Sequence, residues 1–461
     1  MTQAFFNSKT GDPASLGRMF CFQSADGIPA LDSALVPYKS FGGPLTPKPT
    51  TIQRQAVLTR PMRELAMRSK VDTDGRSLHL GDLDSGNEMQ LAMLLSLFQG
   101  YDLSTAVGHT RWRISQQMAQ DHTAMIKKIT HINDSNKGIP MRHTDVIARS
   151  MALNVASKAN ASMIFGVEAG RFDFWGTPAV TGTGLVKPIL RGTSAENWLP
   201  DATDGVIFIK IISDSSTAVV FQCKVATAGS YGTNITATKG AWCFVYTGAA
   251  STVPLGGRAA QCEVYFPAGA DNSFVDADVW MFPKRRAVSI ADNDYHDPYP
   301  IAETQFRFLL DGNPIYADGG ITINVDVPNA VTRYVAGGEQ AIGTDRWGQH
   351  DVTVTINRRM VDLDLQMALM TADTISLVAE GRNDTVVGTS AYYWGMAFVM
   401  PFLSVEGAMH DAEVGAQNKD EVMTLRAFRP TSDFTYGGLT DINADCEVIV
   451  DTDIVAADIG L

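Results

Sequence analysis

Two stretches of this chain, DLDSGNEMQLAMLLSLFQG from Asp82 to Gly100 and DLDLQMALMTADTISLVAEG from Asp362 to Gly381, follow one design. Each opens on an acidic DLD and enters a helix of Met, Leu, Gln and Ala. MQLAML at Met89 to Leu94 lies over LQMALM at Leu365 to Met370, and the first copy carries four extra residues, SGNE. In the first copy Asp82, Asp84 or Asn87 can cap the free N–H groups of the opening turn, and Gly100 is placed to end the helix. Apolar residues surround this helix except along a narrow edge at Gln90, Ser96 and Gln99. A helix of that kind must be covered by a sheet or a neighbouring subunit. Met89, Leu91 and Leu94 in one copy, and Leu365, Met367 and Leu369 in the other, are the expected packing residues.

The flanks repeat as well. Before the first helix, TIQRQAVLTRPMRELAMRSKVDTDGRSLHL reads as strands broken at DTDG, although PMRELAMRSK also fits one or two helical turns. After it, TRWRISQQ, TAMIKKITHI, SMALNVAS and MIFGVEAGRFDF read as successive strands. In the second half ITINVDV and DVTVTINRRMVDLD alternate apolar and polar residues before the helix, and YYWGMAFVMPFLSVEG and EVMTLRAFRP follow it. The order strand, strand, helix, strand, strand is therefore written twice, which points to pseudo-symmetric architecture.

Between the copies the texture changes to short strands such as VIFIKII, AVVFQCKVA, AWCFVYTG and ADVWMFP, separated by Gly, Ser, Thr and Asn turns. The expected organisation is an N-terminal arm over 1–50, a first domain over 51–180, a small β-sandwich over 181–287, a second domain over 288–430 and an acidic arm over 431–461. A chain of 461 residues with 45% hydrophobic residues suits several packed cores. Its net charge of -13 argues against broad phosphate binding, which relies on Lys and Arg. Five widely spaced cysteines without a C-x-x-C pair suggest neither a disulfide framework nor a zinc site. No apolar run approaches the length needed to span a bilayer, so no membrane association is expected.

The strong catalytic signatures are missing: there is no G-x-x-x-x-G-K-[ST], H-E-x-x-H, G-x-S-x-G or EF-hand loop. The densest polar cluster, Asp292, Asn293, Asp294, His296 and Asp297, has cation-ligating atoms but reads as a turn-rich linker. Gly182 and Gly184 lack the strand and helix that a phosphate cradle needs, and Lys284, Arg285 and Arg286 form a short solvated edge. No enzyme, metal or cofactor is expected.

The second half, INVDVPNAVTRYVAGGEQAIGTDRWGQHDVTVTINRRMVDLDLQMALM followed by YYWGMAFVMPFLSVEGAMHDAEVGAQNKDEVMTLRAF, resembles the tail tube proteins, or major tail proteins, of long non-contractile-tailed bacteriophages. The likeness covers the last third of the chain well and 51–177 more weakly. It sets a hairpin over 324–357, a helix starting near Asp364, and closing strands around Phe398 and Leu425.

The resemblance implies a mainly β fold. Its parts are two tail-tube-type β-sandwich or half-barrel domains, each flanked by one α-helix, and the extra sandwich as a decoration. It implies a structural virion protein of the phage tail, assembled in the host cytoplasm. Rings stack into a tube that conducts DNA without specific binding. With two copies per chain, three chains fill a pseudo-sixfold ring, a six-chain ring being the alternative. Tail tip, tape-measure and terminator proteins are the implied partners. The expected inter-ring loop carries Tyr334, Gly337, Gly338, Glu339, Asp345, Arg346 and Trp347, and the expected lumen residues are Asp326, Asp351, Glu168 and Asp173. A carboxylate-lined bore would repel DNA phosphates. The competing reading is a baseplate, fibre or surface β protein that binds carbohydrate or a receptor through Tyr231, Trp242 and Tyr246.

Overall fold

In a computed structural model the described residues are 18–23, 36–37, 48–53, 65–72, 76–106, 108–116, 128–134, 140–156, 158–174, 179–180, 188–192, 206–225, 230–246, 260–268, 273–283, 299–317, 319–334, 341–347, 350–359, 371, 374–411, 420–459 and 461. The fold is mainly β, built from antiparallel sheets. One helix, Glu88–Phe98, is described in full. Leu365, Met367 and Leu369 lie outside the described residues.

The largest sheet is read most simply as two layers joined by one long strand, Tyr393–Asp411. In the first layer the order is Arg76–Asp82, Ser162–Glu168, Pro140–Val155, Gly320–Asp326, Asp351–Arg359, Asp420–Ala427 and the far end of Tyr393–Asp411. In the second the order is Asn313–Ile315, Phe306–Leu310, Thr374–Val386, the near part of Tyr393–Asp411, Glu447–Thr452, His109–Ile114 and Tyr101–Ala106. Strict alternation puts every second side chain inward. Val155, Ile321, Ile356 and Met423 form one inward row across the first layer, and Leu153, Ile323, Val354 and Leu425 the next. All eight are at most 3% exposed and belong to one core cluster.

That core contains both repeats. Segments 51–180 and 288–430, expected as two domains, share it because Ile321–Asp326 pairs antiparallel with Ser150–Val155. The segment 431–461, expected as an arm, instead places Glu447–Thr452 between Tyr393–Asp411 and His109–Ile114. Near the N-terminus, Arg18–Phe22 pairs with Ile129–Asp134 of the same chain. The stretch left open as strand or helix contains a strand, Leu65–Asp72, paired with Lys48–Gln53.

The helix lies in contact with one strand of each layer, Pro140–Val155 and His109–Ile114, and all 11 of its residues are buried. Met89, Leu91 and Leu94 are at most 1% exposed. Of the three capping candidates, Asn87 accepts from the backbone N–H groups of Met89 and Gln90 at 3.1 Å. Along the polar edge Gln90 and Ser96 are buried and bonded. Gln90 donates to Asp82 O at 2.7 Å and accepts from Asp84 N at 3.0 Å, and Ser96 Oγ accepts from Ala148 N at 3.2 Å. The left-handed end falls on Gln99, with φ 70°, rather than on Gly100.

The middle segment has its own core of Ile209, Ile211, Phe221, Phe266, Phe274, Trp280 and neighbours. It lies between a sheet ordered Ala179–Val180, Val279–Pro283, Val206–Asp214, Ala218–Val225, Ile235–Thr238 and a sheet ordered Ile189–Gly192, Ala260–Tyr265, Trp242–Tyr246. A buried ion pair, Lys239 to Asp214 at 2.7 Å, ties its loops. Arg142 of the large sheet donates to Leu190 O of this module.

Candidate functional site

The first layer has a second, outward face that runs without interruption from one repeat into the other. Asn154, Thr322, Thr355 and Thr424 stand in one cross-strand row, and Ala152, Asn324, Thr353 and Arg426 in the next. All are partly exposed. Thr322 donates to Asn154 Oδ1 at 3.1 Å across the boundary between repeats. A third row joins Ser150, Asp326 and Asp351. Carboxylates directly opposite each other repel. Arg426 offsets this by pairing with Asp351 at 3.0 Å and Glu406 at 3.0 Å. Small uncharged polar groups with a modest carboxylate excess make a surface that wets but does not grip polyanions.

The four expected lumen residues do not gather on this face. Asp326 and Asp351 are neighbours on it. Glu168 is 3% exposed and pairs with Arg149 at 3.2 Å. Arg149 is the extra residue where the register of Ser162–Glu168 against Pro140–Val155 shifts between Gly166 and Val167. The bulge sets the Arg149 side chain, itself 43% exposed, against the Glu168 carboxylate, a pairing that periodicity does not signal. Asp173 belongs to a separate strand, Arg171–Phe174, paired with Met141–Thr144.

The expected inter-ring loop is a hairpin of Asn329–Tyr334 and Ala341–Trp347, in which Val331 faces Asp345, Ala330 faces Arg346, Asn329 faces Trp347 and Tyr334 faces Ala341. Gly337, Gly338 and Glu339, at its tip, lie outside the described residues. The middle of the hairpin leans on the first repeat: Thr344 is fully buried and donates to Asp145 O at 2.7 Å. Asp145 in turn exchanges two hydrogen bonds with Gln23, at 2.8 and 2.6 Å. Sequence reading missed this three-way lock, because its members are 122 and 199 residues apart.

Charged pairs that tie the segment 431–461 to the first repeat cluster around the strand Glu447–Thr452. Asp451 accepts from Arg111 at 2.8 and 3.1 Å and contacts His109 Nε2 at 2.9 Å. Arg113 holds buried Glu447 at 2.7 Å and the more exposed Asp441 at 3.0 Å. Burial raises the Glu447 carboxyl above its ordinary pKa against the pull of Arg113, whereas hydrogen bonding from Arg113 holds Asp441 below its own.

Beside Asp451 lies a cavity of about 230 Å3, bordered by Arg111, Glu380, Arg382, Tyr392, Tyr393 and Tyr436. Burial and the charge of Glu380 push Tyr436 up to about 12. The space is smaller than the roughly 300–1,000 Å3 usual for small-molecule sites. Its charges already answer one another, Arg111 with Asp451, and Arg307 and Arg382 with Glu380. Among the described residues there is no cluster of His, Cys, Asp or Glu able to hold a metal ion, and the polar linker at Asp292–Asp297 lies outside them. In the middle module Tyr231 faces Lys210 and Lys224, and Trp242 packs on Tyr265. The side chain of Tyr246 lies outside the described residues.

These features define a mainly β protein whose repeats are fused by strand pairing. No protein-family model matches the chain, and no curated protein sequence matches it either.

Proposed function

We propose that the chain is a structural virion protein, the tail tube subunit of a long non-contractile-tailed bacteriophage. The observation that carries this reading is the unbroken sheet across both repeats, with a greasy side packed on the helix and a weakly acidic, hydroxyl-rich side turned out. Curved around an axis, such a face forms a bore whose carboxylates keep DNA from adhering. Asp326 and Asp351 are the residues of this face assigned to the bore. Each chain fills two of six places in a ring, so three chains close it, and rings stack through the hairpin around Tyr334 and Trp347. The tube assembles in the host cytoplasm on the tail tip and tape-measure proteins, ends at the terminator, and works without catalysis or a cofactor. The middle module decorates the outside.

Negative-stain microscopy and mass measurement test this. Purified protein is expected to give stacked rings about 100 Å wide, from six compact domains of about 150 residues around a channel. A single ring should weigh about 150 kDa, three times the chain mass of 49.8 kDa. A monomer that persists at high concentration, without tubes even beside tail tip proteins, overturns the reading.

A further inference from the structure

The middle module holds one lysine and one carboxylate against each other out of reach of water. Asp214 closes the strand Val206–Asp214, and Lys239 follows the strand Ile235–Thr238, with Ala218–Val225 between the two. Their side chains are each 1% exposed. Backbone bonds fix both positions: Asp214 is paired with Val219, and Lys239 N donates to Thr217 O at 2.9 Å. Lys239 Nζ lies 5.7 Å from the ring centroid of Phe274, a member of the module core. The two oxygens of Asp214 have different surroundings. Oδ2 accepts from Phe274 N at 3.0 Å and from Ser273 Oγ at 3.4 Å. Oδ1 lies 2.7 Å from Lys239 Nζ but out of line for a hydrogen bond, and it accepts none from any described residue. Nζ instead donates to Ser273 Oγ at 2.9 Å. The Ser273 hydroxyl therefore links the amine to Oδ2, and Cγ of Asp214 stands one bond beyond the oxygen that the amine touches.

We infer that Lys239 and Asp214 condense to an amide, an internal cross-link made by the module's own side chains. Nζ gives one proton to Ser273 Oγ while the Ser273 hydroxyl proton moves to Oδ2, which leaves a neutral amine beside a carboxylic acid. The Nζ lone pair then forms the N–C bond to Cγ, and the C=O pair moves onto Oδ1. When that pair returns, the Cγ–Oδ2 bond breaks, a second Nζ proton reaches Oδ2 by the same hydroxyl, and water leaves. Phe274 N–H supports the departing oxygen. One ammonium and one carboxylate become one neutral amide and one water, so the step needs no oxidant, reductant or activating group. The surroundings favour it in three ways. A buried ion pair carries a desolvation penalty, and condensation removes both charges. Well-oriented neighbours react at effective concentrations of about 10⁵–10⁸ M, far above any in solution. Exclusion of water protects the product from hydrolysis. The bond clamps the turn at Lys239 to the end of Val206–Asp214 across the strand between them. It concerns the middle module alone and stands independently of the tube reading.

The test reads the full chain by mass spectrometry after folding, denaturation and trypsin digestion. The intact mass should fall short of the sequence mass by one water, about 18 Da. Trypsin does not cut after an acylated lysine, so the peptide 211–224, which carries Asp214, should appear joined to 225–258 through Lys239. K239M and D214A should keep the full mass expected of their sequences and release 211–224 unjoined. S273A should be cross-linked in a smaller fraction, and S273T should restore it, because threonine keeps the hydroxyl. Free 211–224 and 225–239 from parent protein that is folded by circular dichroism overturn the proposal, as does Asp214 joined to a different lysine. The decisive reading is taken on the parent, so a variant that fails to fold does not blunt it. A cross-link of undiminished yield in S273A overturns the role given to that hydroxyl.

Discussion

Replacing Arg113 by Met keeps most of the side-chain stem and removes the charge that answers Glu447, a carboxylate whose side chain is 1% exposed. The guanidinium donates to both oxygens of Glu447, at 2.7 and 3.3 Å. Removing one partner of a buried pair costs about 3–5 kcal/mol, because the other charge is left without compensation. The second contact, to Asp441 with a side chain 63% exposed, adds little, on the order of 0–1 kcal/mol. At roughly 2 °C per kcal/mol, the low end for large cooperative units, R113M should lower Tm by about 6–10 °C near pH 7. The pH dependence carries a second signature. Glu447 already binds its proton more readily folded than unfolded, and losing Arg113 exaggerates that difference. Its folded state then takes up a proton that the unfolded state does not, so R113M regains stability as pH falls from 7 toward 5. The double variant R113M/E447L replaces the pair with apolar groups and should return to within about 1 kcal/mol of the parent. Differential scanning calorimetry across pH 5–8 measures all three. A loss below about 1 kcal/mol, a deficit that does not shrink on acidification, or a double variant no better than R113M refutes the reasoning.

Removing the helix cap with N87A should cost about 1 kcal/mol in thermal unfolding, since two backbone N–H groups lose their acceptor. In the opposite direction, Q99G should gain about 0.5–1 kcal/mol, because glycine tolerates the φ of 70° at that position. At the join between repeats Gly320 has φ +92° and a Cβ there would sit 2.7 Å from Val155 O. G320A should cost more than about 1 kcal/mol and speed hydrogen exchange along Ile321–Val325. Burial lowers His143 to about 4. Between that value and the unfolded one the unfolded chain holds the extra proton, so stability should fall by up to about 1.4 kcal/mol per pH unit as pH drops from 6.5 to 4. H143F should flatten that slope in calorimetry.

Period-2 runs such as ITINVDV were legible because both sides of the strand are set by packing: Ile321, Ile323 and Val325 inside, Thr322, Asn324 and Asp326 outside. The helix Glu88–Phe98 was legible from its nearly continuous apolar surface. What the pattern concealed was connectivity. The stretch ending DTDIVAADIGL read as an acidic arm because its Asp and Glu residues dominate the eye, yet Val448, Ile449 and Val450 lie inside the sheet. Its acids are neutralised by partners far off in sequence, Glu447 by Arg113 and Asp451 by Arg111. Glu168, a polar position by alternation, is buried for a related reason, since the extra residue of a bulge in the neighbouring strand, Arg149, pairs with it. Both cases involve long-range registry, which composition and local periodicity do not encode.

The strand Glu447–Thr452 also sets an order of events during synthesis. Arg113 waits for a partner made 334 residues later, and contacts of such separation form slowly because a large loop must close first. Until then His109–Ile114 and Tyr393–Asp411 each lack one strand partner. A nascent chain therefore cannot settle into its final shape before translation has passed this point, and any product cut short upstream keeps two sticky edges and no finished wall. The wall that Glu447–Thr452 completes thus closes only after both of the strands it joins have been made.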